Sequence, residues 1–337
     1  MIQPVKDSLH RLMRDLRISV TDRCNFRCTY CMPKEIYHDN HAFFKKQELL
    51  SYEEIRRLAE LFVSLGVKKV RLTGGEPLLR KNLNELVRQI VSIKGVEDIA
   101  LTTNGLLLHQ QGQELFKAGL RRINISLDAL NPEIFGQMNG RGFDPAQILD
   151  NIDYATQLGF EIKVNMVIQR HINVKEIIPM TTYFKDRNLT IRLIEFMDVG
   201  NDNGWDSKQV VTKKELLQLL QKVYELEPVE PAYLGEVAQY YRYNQSAAKI
   251  GFISSISEPF CSACTRARLS AEGKLFTCLF ASDGFDLRSM LRGGASNEEL
   301  LEAIQRVWTE RNDRYSDERS THNTEQRKKI GMSYIGG

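Results

Sequence analysis

The chain has 337 residues, 42% of them hydrophobic and 26% charged, with a formal net charge of +3. This is an ordinary globular composition, long enough for one barrel-sized domain with an extension. The charge is too weak to draw nucleic acid by itself, and no apolar run reaches the roughly 18 residues that cross a bilayer, so no nucleic-acid or membrane partner and a cytoplasmic location are expected.

The chain opens without the look of a signal peptide, because Lys6, Asp7, Arg11, Arg14, Asp15 and Arg17 interrupt its apolar stretches. Disulfides are accordingly not expected. Leu16-Arg17-Ile18-Ser19-Val20 reads as a strand, and Cys24-x3-Cys28-x2-Cys31 follows it directly. Three thiolates fall one short of a closed tetrahedral set. A cubane iron–sulfur cluster on three cysteines keeps one iron open to an exchangeable ligand, whereas structural zinc takes four ligands. His38 or His41 could complete a zinc site instead. All 6 cysteines fall into two trios, the second being Cys261-x2-Cys264-x13-Cys278, so two open clusters are the natural expectation and one pooled site the alternative.

Ser51-Tyr52-Glu53-Glu54 is a capping box, and Ile55, Leu58, Ala59 and Phe62 continue it at helical period. A repeat follows, each unit a helix-like segment, a glycine and a β-branched strand. Gly66, Gly95, Gly119 and Gly159 lie between helix and strand, where a left-handed C-cap residue is wanted. With strands at 16–20 and 190–197 the count is six. Such alternation implies parallel strands with right-handed crossovers, giving an α/β fold built on a six-stranded partial TIM-like (βα)6 barrel. A doubly wound sheet is the alternative, but its strands should be nearly continuous apolar runs. Here Arg17, Arg71, Asn124, Lys163, Asn165, Arg192 and Glu195 interrupt them. Alternating polar residues predict a wet lumen, and inward cations predict an anionic ligand.

Asp198-Val199-Gly200-Asn201-Asp202-Asn203-Gly204 marks a boundary. Residues 1–200 are read as the partial barrel with the first cluster, and 201–337 as a C-terminal α+β region that closes the barrel and carries the second. Within the latter, a helix is expected from Thr212 to about residue 222, an antiparallel pair at 237–243 and 249–256, and a helix over 298–308. Arg266 and Arg268 are two apart in a strand-like segment, so both project from one face. The chain closes on Ser333-Tyr334-Ile335-Gly336-Gly337.

Cys24, Cys28 and Cys31 after the first strand, with Gly74-Gly75-Glu76-Pro77 after the second, resemble the radical S-adenosylmethionine superfamily. Cys261-Ser262-Ala263-Cys264-Thr265-Arg266-Ala267-Arg268, Cys278 and the Gly-Gly end extend the likeness along the chain to the GTP 3′,8-cyclase family of molybdenum cofactor biosynthesis. That resemblance implies two [4Fe–4S] clusters and S-adenosylmethionine as cofactors, with Cys24, Cys28, Cys31, Cys261, Cys264 and Cys278 as metal ligands. It implies S-adenosylmethionine contacts from Tyr30, Gly75, Ser126 and Met197, and GTP contacts from Arg17, Arg71, Thr102, Lys163, Arg266, Ala267 and Arg268. Arg17, Arg266, Arg268, Gly336 and Gly337 carry the implied catalytic roles. The resemblance further implies that a 5′-deoxyadenosyl radical takes hydrogen from ribose C3′ and that the sugar radical then attacks guanine C8. Implied partners are an external electron donor and a downstream cyclic pyranopterin monophosphate synthase, and a homodimer is compatible with the family.

Overall fold

The computed structural model describes residues 4–233, 235–319 and 329–336. Its first half alternates as the glycine-punctuated repeat predicts: β1 (Asp15–Ser19), α1 (Tyr52–Ser64), β2 (Lys69–Thr73), α2 (Leu83–Val91), β3 (Asp98–Thr103), α3 (Leu108–Lys117), β4 (Arg122–Ser126), α4 (Pro132–Asn139), α5 (Pro145–Gln157), β5 (Glu161–Ile168), α6 (Ile177–Asp186) and β6 (Thr190–Glu195). These six strands lie side by side in chain order, every pair parallel.

Local chemistry sets the boundaries. Ser51 Oγ accepts from the Glu54 amide at 3.1 Å while the Glu54 carboxylate accepts from the Ser51 amide at 2.7 Å, so α1 starts on the predicted reciprocal cap, worth about 1 kcal/mol. Gly66, Gly95, Gly119 and Gly159 have φ of +115°, +109°, +107° and +91°, the left-handed region that stops each helix. Strand alternation then sorts the side chains. Ile18, Leu72, Leu101, Ile123, Val164 and Leu193 are buried on the helix-facing side, each contributing about 1.5–3 kcal/mol by leaving water. The opposite side of the strands carries the arginines and asparagines.

The later chain adds α7 (Lys213–Leu220), β7 (Leu226–Val229), β8 (Gln239–Tyr243), β9 (Lys249–Ile253), β10 (Arg266–Leu269), β11 (Lys274–Phe276), β12 (Phe285–Asp286), α8 (Leu287–Arg292), α9 (Asn297–Thr309), α10 (Tyr315–Glu318) and α11 (Met332–Ile335). Here the structure corrects the six-strand expectation. Among the described residues the sheet has 12 strands, ordered β12-β11-β10-β1-β2-β3-β4-β5-β6-β9-β8-β7. β10 adds parallel to β1 and β9 adds parallel to β6, each followed by antiparallel strands. The exposed edges of the βα unit need partners, and the second half of the chain supplies both. The sheet ends do not hydrogen-bond to one another, yet a Cβ on Gly235 would come within 2.5 Å of the Ala263 carbonyl, so loops from the two flanks meet across the opening.

Glu195 is a second correction, because it faces away from the lumen. Its carboxylate accepts from the amides of Lys213, Ile256 and Ser257 at 2.9 Å each, tying β6 to the start of α7 and to the loop after β9. No helix among the described residues is long and apolar enough to cross a membrane.

Candidate functional site

Cys24, Cys28 and Cys31 lie in the loop after β1 and line one cavity together with Tyr30, Gly74, Gly75, Glu76, Thr102, Ser126 and Met197. The Gly-Gly turn is built around the cysteine loop: the Gly75 and Glu76 amides donate to the Thr21 and Arg23 carbonyls at 2.8 and 2.7 Å, and a Cβ on either glycine would overlap that backbone. With those amides engaged, carbonyl oxygens are what the turn can offer a ligand, as suits an ammonium group. Glu76 is buried and accepts from Thr103 Oγ1 and the Asn104 amide at 2.7 Å and from the Leu78 amide at 3.0 Å. Burial nevertheless lifts its carboxyl to about 7. The Tyr30 hydroxyl donates to Asp128 Oδ2 at 2.8 Å, so the ring beside Cys31 is fixed by β4's end.

Burial pushes the Cys24 and Cys31 thiols up to about 12 and Cys28 well above its ordinary range. Soft, dry thiols around a shared void suit an iron–sulfur cluster, which holds them as thiolates. No three His, Cys, Asp or Glu side chains among the described residues converge on a point fit for one ion. The cavity is shaped for something broader.

Thr102, Asn165, Ile194 and Met197 line this cavity and also the next, which contains Arg17, Arg71, Arg192, Arg266 and Arg268. The two are consecutive chambers of one lumen. Register explains the cation row. Arg17 on β1 pairs with Arg268 on β10 and with Arg71 on β2, so three guanidiniums stand abreast on adjacent strands. Burial, then Arg268, Arg71 and Arg266, hold Arg17 well below the usual arginine range. Burial and Arg266 bring Arg268 down to about 9, while burial and Arg192 bring Arg71 to about 10. The buried Arg71 Nε has no hydrogen-bond partner among the described residues. A polyanion relieves all of this at once, giving each fork charge-assisted bonds worth about 1.5–3 kcal/mol.

Lys163 lines the far end of the lumen with Lys69, Arg122 and Tyr240, and lies 3.0 Å from Glu161. Ala267 points the other way, fully buried in the hydrophobic core between the two arginines. Sequence reading left Lys69, Arg122 and Arg311 out of the site, and listed Arg192 without a role. Arg192 is held by Asn165 Oδ1 at 2.8 Å and Asn124 Oδ1 at 2.6 Å, and those interior asparagines were the available signal.

Cys261, Cys264 and Cys278 line the cation chamber itself. They differ from the first trio in their charge surroundings. Burial and then Asp313 raise Cys278 to about 12, whereas Arg266 and Arg311 overcome the effect of burial at Cys264 and bring it to about 6. Both guanidiniums reach the Cys264 sulfur, at 3.1 and 3.2 Å. The segment before Gly336 enters from the other side. Met332 and Ser333 line the first chamber, and Arg268 Nη1 donates to the Gly336 carbonyl. Gly337 lies outside the described residues.

The Radical SAM superfamily profile matches residues 18–183, and Molybdenum Cofactor Synthesis C matches residues 189–317. Proteins named GTP 3′,8-cyclase from Staphylococcus haemolyticus (strain JCSC1435) and Staphylococcus epidermidis (strain ATCC 12228 / FDA PCI 1200) are 56% and 55% identical over 340 residues, covering 100% of this chain and of each relative. Among solved structures, Streptococcus suis SuiB bound to S-adenosylmethionine is similar in fold, with a TM-score of 0.61 at 14% identity over 89% of this chain and 67% of that one. Full-length identity of that degree, joined to the two cysteine trios, places the chain in the GTP 3′,8-cyclase family of radical S-adenosylmethionine enzymes.

Proposed function

We propose that the chain converts GTP to 3′,8-cyclo-7,8-dihydro-GTP, the first committed ring closure of molybdenum cofactor biosynthesis, and that the two chambers divide the work. The carrying observation is the shared wall: Thr102, Asn165, Ile194 and Met197 belong both to the chamber of the first trio and to the cation chamber of the second. A molecule in one chamber therefore meets a molecule in the other. In this reading residues 1–200 supply the partial barrel, β1–β6, and residues 201–337 supply the flanking strands, the second trio and the Gly336 segment.

Cys24, Cys28 and Cys31 hold a [4Fe–4S] cluster, and Cys261, Cys264 and Cys278 hold a second. The first supplies, when bound, one electron from an external donor to the sulfonium of S-adenosylmethionine. The chain's own groups do the positioning. Carbonyls of the Gly74–Gly75 turn receive the methionine ammonium, Tyr30 and Ser126 flank the ligand, and Met197 packs at the boundary between chambers. Arg17, Arg71, Lys163, Arg266 and Arg268 take the triphosphate, with Thr102 at the ribose and the Ala267 backbone between the two arginines. Fixing ribose C3′ against guanine C8 in this lumen can supply about 7–11 kcal/mol of the barrier. Arg268 also holds the Gly336 carbonyl, so the tail forms part of the substrate wall. The product then passes to a cyclic pyranopterin monophosphate synthase; a homodimer and a cytoplasmic setting complete the reading. Anaerobic turnover of the iron-reconstituted protein with GTP, S-adenosylmethionine and a reductant tests it: mass spectrometry should find the cyclised nucleotide with one 5′-deoxyadenosine per product. Cleavage of S-adenosylmethionine that GTP does not couple to any new nucleotide overturns it.

A further inference from the structure

Two arginines far apart in the chain grip the loop of the second trio. Arg11 Nη1 donates to the Cys261 carbonyl at 2.9 Å. Arg311 Nη1 donates to the Cys264 carbonyl at 2.9 Å, and its Nη2 to the Cys264 sulfur at 3.2 Å. Neither side chain is free to move. Asp7 Oδ2 lies 2.5 Å from Arg11 Nε and 3.6 Å from Arg311 Nη1, and Asp313 accepts from Arg311 Nε at 3.1 Å. The Arg11, Arg311 and Asp7 side chains are only 2%, 1% and 0% exposed, the Arg311 guanidinium lies 4.6 Å from the Trp308 ring, and the Trp308 indole donates to the Arg11 carbonyl at 3.2 Å.

We propose that Arg311, braced by Asp7, Arg11 and Asp313, is a positioning residue for the second iron–sulfur site, fixing the Cys264 ligand and raising the potential at which that site accepts an electron. The proposal rests on the reading that the second trio holds a cluster. Arg266 also donates to the Cys264 sulfur, at 3.1 Å, but it faces a chamber whose cations are assigned to phosphate, so its bond is open to exchange when substrate arrives. Arg311 lines the same chamber, but Asp7 and Asp313 pair its charge at 3.6 and 3.1 Å and hold its guanidinium on the Cys264 loop. A permanent N–H···S bond and a buried positive charge both stabilise the reduced form of a cluster, because the added electron sits largely on iron and sulfur. Held by this trio, a cluster would supply one electron, taken from the external donor, to the cyclised nucleotide radical.

The test is an anaerobic redox titration of the reconstituted full chain, followed by electron paramagnetic resonance, in wild type, Arg311→Met and Arg311→Lys, with the first cluster's signal as an internal reference. Arg311→Met should lower the reduced-to-oxidised ratio of the second cluster at least tenfold at a fixed potential, a shift of about 59 mV for one electron, and leave the first cluster unmoved. An unmoved second cluster overturns the proposal, as does an equal shift in both clusters. If Arg311→Met fails to fold or to retain iron, Arg311→Lys decides. It keeps the charge that Asp7 and Asp313 require, yet one ammonium cannot reproduce the fork to both the sulfur and the carbonyl, so at least a threefold fall is expected and an unshifted second cluster overturns the proposal. Iron content separates this from the parent reading: if Cys278→Ala keeps all the wild-type iron, there is no second cluster, whatever the Arg311 variants show.

Discussion

Arg268 Nη1 donates to the carbonyl oxygen of Gly336, 68 residues further along the chain, and so ties to the cation row a segment whose Met332 and Ser333 line the first chamber. Gly336 sits at φ +71° and ψ 110°, and a Cβ there would overlap Thr73 Cγ2 on β2. Strain of this kind costs about 1–3 kcal/mol, which the segment can escape by leaving Arg268. Gly336→Ala is therefore expected to keep its iron and its S-adenosylmethionine binding while losing at least tenfold in cyclised product. Quantitative product detection checks this; full turnover would make the segment a passive end.

Arg266→Lys and Arg268→Lys should each retain iron, because neither residue is a ligand, and should lose most cyclisation, because a point charge cannot replace the planar fork of Arg268 abreast of Arg17 or that of Arg266 one pair along the same strand face. The two halves of the reaction should come apart: 5′-deoxyadenosine continues to form without matching product. Near-normal coupling in both variants would remove these arginines from the substrate site.

Reconstituted protein should hold about eight irons, and Cys24→Ala and Cys278→Ala should each lose about half. Only Cys24→Ala should abolish cleavage of S-adenosylmethionine in the absence of GTP, since Cys24 and Cys278 line different chambers. Iron analysis with a cleavage assay checks both, and equal loss of cleavage in the two variants would contradict the division of labour.

The βα unit was legible because each helix ends on a glycine that must be left-handed and each strand alternates at period two, signals local to a few residues. The flanking strands were harder. β10, β11 and β12 have 4, 3 and 2 residues, too few to show a period, and the group joins the sheet through β10 on the edge of β1, far away in sequence. Within the site, the cysteine trios and the interior cations Arg17, Arg71 and Lys163 stood out as residues with no local purpose. Arg311 did not. Set in a charged run after α9, it reads as solvent-exposed, and its burial comes from Asp7 and from Cys264, 47 residues away. Glu195 misled for the opposite reason: parity puts it on the face away from Arg192 and Ile194, and its amide partners come from a loop whose path the sequence does not reveal.

Glu76 gives a pH dependence with a definite sign. Its carboxyl is raised by burial to about 7 in the folded chain, so the folded state holds a proton that the unfolded state releases near 4.5. The stability it contributes is complete below that lower value and is lost as pH rises to about 7, by up to about 3 kcal/mol. Thermal unfolding of the iron-free protein at pH 5.5 and pH 8 should show a smaller drop between the two in Glu76→Gln than in wild type. An equal drop would mean that the hydrogen bonds from Thr103, Asn104 and Leu78 cancel the effect of burial.

The central claim is that one lumen brings the radical source and the nucleotide together, through Thr102, Asn165, Ile194 and Met197. GTP deuterated at C3′ tests it most directly, in a single anaerobic turnover read by mass spectrometry. One deuterium should appear in 5′-deoxyadenosine for each cyclised nucleotide formed. Unlabelled 5′-deoxyadenosine alongside cyclised product would place the first hydrogen transfer elsewhere and contradict the account.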